Sequence, residues 1–237
     1  MEPSGRKKNS KPNKTQESQE DNIERKAPSQ TDPKTLSQLA EQVRLLKQWP
    51  RTGWMLRGVV QPESVAAHSY GVVFWTMWLS QRHNKRLSVQ ANTAQEKVSS
   101  QKIDLGKALS MATLHDLPEA ATGDLIPTQK AYLFGPDKAV QKEHIKRAER
   151  SFWEQLQDEL APEWQAYWEE YRQGSTLEAR LVKQADALDC VLQAIAYRRY
   201  NGHHLEEFSR LLAQASGEDM ELEVVLKTLW KDSKELS

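Results

Sequence analysis

Residues 111–124 hold the side chains best suited to chemistry. An apolar run ends in His115-Asp116, and a second acid, Glu119, follows three positions later. An adjacent histidine and aspartate can offer one imidazole nitrogen and one carboxylate oxygen to a single metal ion. Because such a pair seldom completes a metal site alone, we expect further ligands elsewhere in the chain.

Two other segments carry potential metal ligands. His68 lies upstream and Asp186 lies downstream, both in segments whose apolar residues have helical spacing. Taken alone, each candidate has an ordinary explanation: a histidine in a helical core, a helix-capping aspartate at Asp116 just before Pro118, and a solvated aspartate at position 186. Together these segments offer His, His-Asp and Asp, which are possible ligands of one metal ion.

The segments that must position these residues are predicted to be helical. Apolar side chains recur every three or four positions, and neither an alternating strand pattern nor an internal repeat is present. Residues 82–102 are polar and are expected to form a loop or an extension of the preceding helix. The helices are predicted to start at Pro33, Glu63 and Thr176 and to cover 103–115, 136–160, 162–171, 204–215 and 219–231.

Pro118 is expected to break the chain just after the His-Asp pair. A proline inside a helix removes a backbone hydrogen bond and clashes with the preceding turn. A short new helix is therefore predicted to begin near Pro118 and to end at Gly123. This break would place Glu119 close to His115 and Asp116 but on a separate turn.

The composition limits the class of protein. The chain has 237 residues with 33 basic and 33 acidic side chains, so its charge does not favour a nucleic-acid or membrane partner. Residues 1–31 carry almost no large apolar side chains and are predicted to be a disordered polar tail, with residues 32–237 as one domain. No apolar run reaches the length of a membrane span, and a cytoplasmic location is expected. The single cysteine, Cys190, is predicted to be a small core residue.

Three blocks, in this order, resemble the HD-domain metal-dependent phosphohydrolases, and among them the 5'-deoxynucleotidases. The blocks are Pro-Arg-Thr-Gly-Trp at 50–54 with Glu-Ser-Val-Ala-Ala-His at 63–68, His-Asp-Leu-Pro-Glu at 115–119 with Thr-Gly-Asp at 122–124, and Lys-Gln-Ala-Asp-Ala-Leu-Asp at 183–189. The resemblance implies an all-α fold, the HD-domain helical bundle, and one divalent metal ion. Nitrogen and oxygen ligands suit Mn, Co, Fe, Zn, Ni or Mg. The implied ligands are His68, His115, Asp116 and Asp186.

The same resemblance implies roles for residues around the metal. Glu119 would transfer a proton, either by positioning the attacking water or by protonating the leaving 5'-oxygen. Asp124 would hold the 3'-hydroxyl of the sugar. Trp54 would press against the sugar and favour deoxyribose, with burial in the core as the alternative.

Two arginines are candidates for the phosphate. Arg51 and Arg57 could both bind it through charge-assisted hydrogen bonds. The well-known bacterial members of the family have an arginine directly before the tryptophan, where this chain has Gly53. The sequence therefore does not choose between Arg51 and Arg57.

The predicted function is metal-dependent hydrolysis of nucleoside 5'-monophosphates, in particular the deoxy forms, to nucleoside and phosphate. The only partner implied is a small nucleotide substrate, and a homodimer is expected because the family often forms dimers. Two alternatives stay open. One is an HD phosphohydrolase that acts on nucleoside triphosphates or cyclic phosphodiesters, and the other is a non-catalytic helical protein that binds a metal.

Overall fold

The structure, a computed structural model, describes residues 33–93, 101–157, 159–201 and 205–233. The predicted tail, residues 1–31, lies outside the described residues. Within them the chain is helical, and no strand occurs beyond one isolated antiparallel bridge between Pro50 and Ser64. The predicted all-α fold class is therefore confirmed.

The first three helices lead to the first predicted ligand. Helix α1 is Pro33–Gln48, and it ends before Pro50 as a proline requires. A short helix, α2, covers Thr52–Met55 between α1 and α3. Helix α3 is Val65–Thr93, so the polar stretch after residue 82 begins as an extension of this helix.

The next two helices flank the predicted break. Helix α4 is Leu105–Leu114, and the Asp104 side chain caps it by accepting a hydrogen bond from Lys107 N at 3.1 Å. Helix α5 is Glu119–Thr122, preceded by Pro118. It ends at Gly123, whose φ of 74° is a left-handed conformation that favours glycine. The predicted break and the short helix after it are both confirmed.

A sixth helix was not predicted from the sequence. Helix α6 is Pro127–Phe134, with proline in its first turn and the Gln129 side chain accepting a hydrogen bond from Ile126 N at 3.1 Å. It contains no buried residue, so it lacks the apolar stripe by which helices are recognised in sequences. Helix α7 follows as Lys138–Leu156, shorter at both ends than predicted.

The remaining helices complete the bundle. Helix α8 is Pro162–Gln173, close to its predicted span, and helix α9 is Leu177–Asn201, which begins one residue after the predicted start at Thr176. The single helix predicted near 204–215 is instead a 3-10 turn, Glu206–Leu211, followed by the short helix α10, Leu212–Ser216. Helix α11 is Met220–Asp232.

The core forms around α9, which packs against α3, α4, α8 and α10. Its central residues Val182, Leu188 and Val191 are buried, as are Val72 of α3 and Met111 of α4. Each fully buried side chain of this size contributes roughly 1.5–3 kcal/mol. The helices α3, α4 and α9, which carry or adjoin the predicted ligands, are thus fixed against one another.

Across the ranges that the structure covers, none of the helices combines the length and the apolar character needed to cross a membrane.

Candidate metal centre

The entry to α3 is fixed by backbone hydrogen bonds. Arg51 N donates to the carbonyl of Glu63 at 2.8 Å, and Val65 N donates to the carbonyl of Trp49 at 2.9 Å. These two bonds join the beginning and the end of the segment between α1 and α3. They place Arg51 beside the first turn of α3, the turn that contains His68.

The four predicted ligands lie together, with His68 at the centre. Oδ2 of Asp116 is 3.2 Å from Nε2 of His115 and 3.8 Å from Nε2 of His68. Asp186 approaches from α9, with Oδ1 3.2 Å from Nε2 of His68. His68, His115 and Asp116 form one group of potential ligands, and His68 forms a second with Asp186 and Cys190.

The hydrogen bonds of the two histidines leave their Nε2 atoms available. His115 Nδ1 lies 2.8 Å from the carbonyl of Ala112, which can only accept, so this nitrogen carries a proton. His68 Nδ1 lies 2.7 Å from Oδ2 of Asp189. Both Nε2 atoms are buried and make no hydrogen bond within the described part of the chain. Two such nitrogens beside two carboxylates are a donor set that fits a divalent transition metal.

The charges of the cluster are balanced within it. Burial raises the pKa of Asp116, but His115 and then Arg51 oppose this effect and bring the pKa well below its usual range. Burial likewise raises the pKa of Asp186, and the close approach of His68, with Nε2 3.2 Å from Oδ1, brings it below its ordinary value. Burial and Arg51 lower the pKa of His68, but Asp186 and Asp189 outweigh them and raise it to about 10.

The structure distinguishes the two candidate arginines. Arg51 donates a hydrogen bond to Oδ2 of Asp116 at 3.1 Å, and its Nε lies 3.7 Å from Asp124. Arg57 instead pairs with Glu207 and lies 5.1 Å above the ring of Phe208. Only Arg51 is therefore positioned at the cluster, although phosphate binding by either arginine stays a prediction.

Glu119 lies beside the cluster at the wall of a cavity. The cavity has a volume of about 280 Å³, and its lining includes His115, Asp116, Glu119 and Tyr171. Burial, together with the nearby charges of Asp116 and Asp124, raises the pKa of Glu119 to about 9. A pKa raised in this direction suits a carboxyl group that donates a proton.

Asp124 is held by the start of α2. Its Oδ2 accepts a hydrogen bond from Thr52 N at 2.7 Å. Asp124 itself is not part of the cavity wall, although its neighbours Gly123 and Leu125 are.

Trp54 lies in the core. It is 2% exposed, its ring stacks on Phe208 with centroids 4.4 Å apart, and its Nε1 donates to Glu63 at 2.9 Å. This packing favours the core alternative for Trp54, and direct contact with a sugar stays a prediction.

Two residues of the cluster were missed in the sequence. The Tyr171 hydroxyl donates to Oδ2 of Asp186 at 3.3 Å. Sγ of Cys190 lies 3.8 Å from Oδ1 of Asp186 and also 3.8 Å from Arg51. The spacing of Asp186 and Cys190 by four residues places both on one face of α9 and was a usable signal. No local sequence signal pointed to Tyr171, because its position depends on how α8 packs.

A second cavity of about 270 Å³ adjoins the first and shares three of its lining residues, Lys130, Ile145 and Arg172. Lys138 and Lys142 also line it, and no acidic residue is among its described lining residues. Of the four cations at this position, Arg172 pairs with Glu149 of the first cavity at 2.5 Å.

Comparison with known proteins agrees with this geometry. Residues 43–224 match the family model described as HD domain. The chain is 34% identical over 165 residues to 5'-deoxynucleotidase HDDC2 of Danio rerio, covering 69% of this chain and 70% of the relative. It is 30% identical over 168 residues to 5'-deoxynucleotidase HDDC2 of Homo sapiens, with 69% of each chain covered.

Solved structures show the same fold. The PH0347 protein of Pyrococcus horikoshii OT3 superposes with a TM-score of 0.59 at 32% identity, covering 85% of this chain and 99% of that one. A protein of Magnetospirillum magnetotacticum MS-1, described as a predicted metal-dependent phosphohydrolase, superposes with a TM-score of 0.57 over 85% of this chain and 92% of that one. At 20% identity, this second likeness supports the fold alone.

Replacement of His68 by alanine should remove the metal. We expect the wild-type chain, dialysed against Mn, Co or Zn, to retain one divalent ion, and His68→Ala to lose most of it because His68 belongs to both groups of ligands. Elemental analysis after gel filtration measures the stoichiometry. His83→Ala is the matched control, because His83 also lies on α3 but its Nε2 lies 3.2 Å from the carbonyl of Gln101, away from the cluster. Full metal content in His68→Ala would contradict the assignment.

Proposed function

The chain belongs to the HD-domain family, and from this premise we propose that it is a metal-dependent hydrolase that converts deoxynucleoside 5'-monophosphates to nucleoside and phosphate. The observation that carries the proposal is the partly buried His/Asp cluster with Glu119 beside it at the wall of a cavity. Its relatives in Danio rerio and Homo sapiens are named 5'-deoxynucleotidases, which supports this substrate class.

The metal is proposed to be held by the four residues that the cluster brings together. A divalent cation supplies charge neutralisation for phosphate oxygens and makes water more acidic at neutral pH. The mixture of nitrogen and oxygen donors is compatible with Mn, Co, Fe, Zn, Ni or Mg as the bound metal. The proposed ligands are His68, His115, Asp116 and Asp186.

The cations of the two cavities are proposed to bind and orient the phosphate. Lys130, Lys142 and Arg172 lie in the outer cavity and raise the local concentration of a dianionic substrate. Arg51 is the inner cation; burial lowers its pKa, but Cys190 and the carboxylates of Asp116, Asp124 and Asp186 outweigh this effect and hold the pKa above its ordinary value. Its guanidinium group can bond a phosphate oxygen while keeping its contact with Asp116.

Glu119 is proposed to act as the general acid. As water attacks phosphorus and the bond from phosphorus to the 5'-oxygen breaks, the developing alkoxide needs a proton. The protonated carboxyl of Glu119 can supply it, giving the 5'-hydroxyl of the nucleoside and orthophosphate. The proton that the attacking water loses restores the carboxyl group by the end of the turnover.

The sugar is proposed to be recognised at the junction of α2 and Asp124. Oδ2 of Asp124 is occupied by Thr52 N, and its second oxygen is the candidate acceptor for the 3'-hydroxyl. Trp54 would act indirectly, because its buried ring fixes the short helix that carries Thr52. Any preference for deoxyribose would then depend on the position of this helix.

The homodimer and the cytoplasmic location stay predictions. One surface suited to a second copy is the stripe formed on α3 by Tyr70, Phe74 and Met77, which are exposed and spaced four and three residues apart. Exposed apolar surface of this kind is typical of protein–protein contacts.

Phosphate release from paired deoxy- and ribonucleoside 5'-monophosphates tests the function. We expect metal-stripped protein to be inactive and to release phosphate from the deoxy forms after Mn, Co, Zn or Mg is restored. Equal release from the ribo forms would remove the sugar preference and keep the phosphatase. Triphosphate from nucleoside triphosphates, or a linear nucleotide from a cyclic phosphodiester, without monophosphate hydrolysis, would establish the alternative enzymes. No turnover with any metal would favour the non-catalytic protein.

Replacement of Glu119 by glutamine should separate proton transfer from metal binding. The amide has nearly the same shape but cannot donate an acidic proton, so we expect kcat to fall by about 10²–10⁴-fold while metal content persists. Glu143→Gln, on the exposed side of α7, is the control and should keep wild-type kcat. A Glu119→Gln variant with normal turnover would exclude Glu119 as the acid.

A further inference from the structure

The side chain of Asp189 links the two longest helices of the cluster. Its Oδ2 lies 2.7 Å from Nδ1 of His68, and its Oδ1 accepts a hydrogen bond from Nε1 of Trp75 at 3.2 Å. His68 and Trp75 are seven residues apart on α3, so they lie two turns apart on the face that α9 covers. Both oxygens of Asp189 are thus used, and its carboxylate is fixed in one orientation.

Gly71 lies between the two donors on α3. A methyl group at this position would lie 2.6 Å from Cγ of Asp189 and 3.0 Å from its Oδ2, closer than non-bonded atoms approach. Gly71 is not among the glycines with positive φ, so the backbone conformation does not require it. Because glycine weakens the interior of a helix relative to alanine, its presence here is explained by the close approach of Asp189.

We propose that Asp189 is the positioning residue that keeps His68 oriented to bind the metal. Gly71 leaves the space that the carboxylate of Asp189 occupies. The carboxylate of Asp189 accepts a hydrogen bond from Nδ1–H, so that Nε2, which faces Asp116 and Asp186, is the nitrogen left to bind a metal. Such a partner fixes both the tautomer and the orientation of a metal-binding histidine. The proposal rests on the metal centre of the proposed function.

The second histidine provides an internal contrast. Nδ1 of His115 is held by the backbone carbonyl of Ala112, which no substitution can remove directly. Only His68 therefore depends on a replaceable side chain for its orientation. A change at Asp189 should weaken metal binding through His68 while leaving the hydrogen bond of His115 intact.

The metal affinity of three variants tests the proposal by a double-mutant cycle. We expect Asp189→Ala and Gly71→Ala each to weaken Zn or Mn binding by about 10–100-fold, measured by competition with a chromophoric chelator. In the double variant, alanine at 189 leaves room for the new methyl group. Once Asp189 has been replaced by alanine, the Gly71→Ala change should therefore reduce the metal affinity little further. Gly106→Ala is the control, because a methyl group there would lie at an ordinary 3.5 Å from Asp104.

A second readout separates positioning from a general loss of structure. In Zn-loaded protein, the nitrogen chemical shifts of His68 should report a proton on Nδ1 in the wild type and an altered state in Asp189→Ala, while those of His115 stay unchanged. Trp75→Phe removes only one donor and should give an intermediate loss of affinity. Circular dichroism identifies any variant that fails to fold, in which case Trp75→Phe carries the test.

The outcomes distinguish this proposal from the proposed function. Wild-type affinity in Asp189→Ala, or equal losses from Gly71→Ala in both backgrounds, would overturn the role of Asp189 while wild-type hydrolysis stands. Absence of metal binding by the wild-type chain itself would overturn the metal centre, and this proposal with it.

Discussion

The burial of several carboxylic acids around two histidines is the constraint on which the rest of the structure depends. Removing acids from water is costly unless each keeps its proton or meets a positive partner. Asp116 meets Arg51 and Asp186 meets His68, while burial raises the pKa of Glu119 and so favours its neutral form. A divalent cation would complete this balance. Carboxylates that lack a positive partner are unfavourable inside a protein. The same need for a positive partner makes these aspartates well suited to bind a divalent cation.

The helices serve this arrangement by bringing distant parts of the chain together on a rigid core. Helix α3 contributes one histidine, the end of α4 contributes the His-Asp pair, and α9 contributes the last aspartate, while the core residues between them keep these helices in contact. The break at Pro118 releases Glu119 from the helix that ends in His115. One acid can then bind a metal while its neighbour transfers a proton. Lys130 lies on α6 and Lys138 and Lys142 lie on α7, so the element that the sequence did not reveal helps to line the second cavity.

The sequence was sufficient for the parts of the site that depend on residue type and local spacing. The His-Asp pair, the break after it and the strongly amphipathic helices were all predicted, because proline, glycine and apolar periodicity act locally. Helix α6 was missed because it buries no side chain, and the preference for Arg51 over Arg57 depends on a loop closed by long-range backbone bonds. Tyr171 and Asp189 act across helix pairs, and only the packing of α8 and α9 brings them to the site. Trp54 was assigned two alternatives, and its packing on Phe208 could not be inferred from the local sequence.

The most direct measurement of the central claim is anomalous X-ray diffraction from crystals loaded with Mn or Zn, recorded at the absorption edge of the metal. We expect one strong peak for each chain, bonded by Nε2 of His68 and of His115 and by oxygens of Asp116 and Asp186. His68, Asp189 and Glu63 form a further group of potential ligands, reached through the opposite nitrogen of the same ring. A peak among those three residues, or no peak beside His68, would contradict the proposed metal centre.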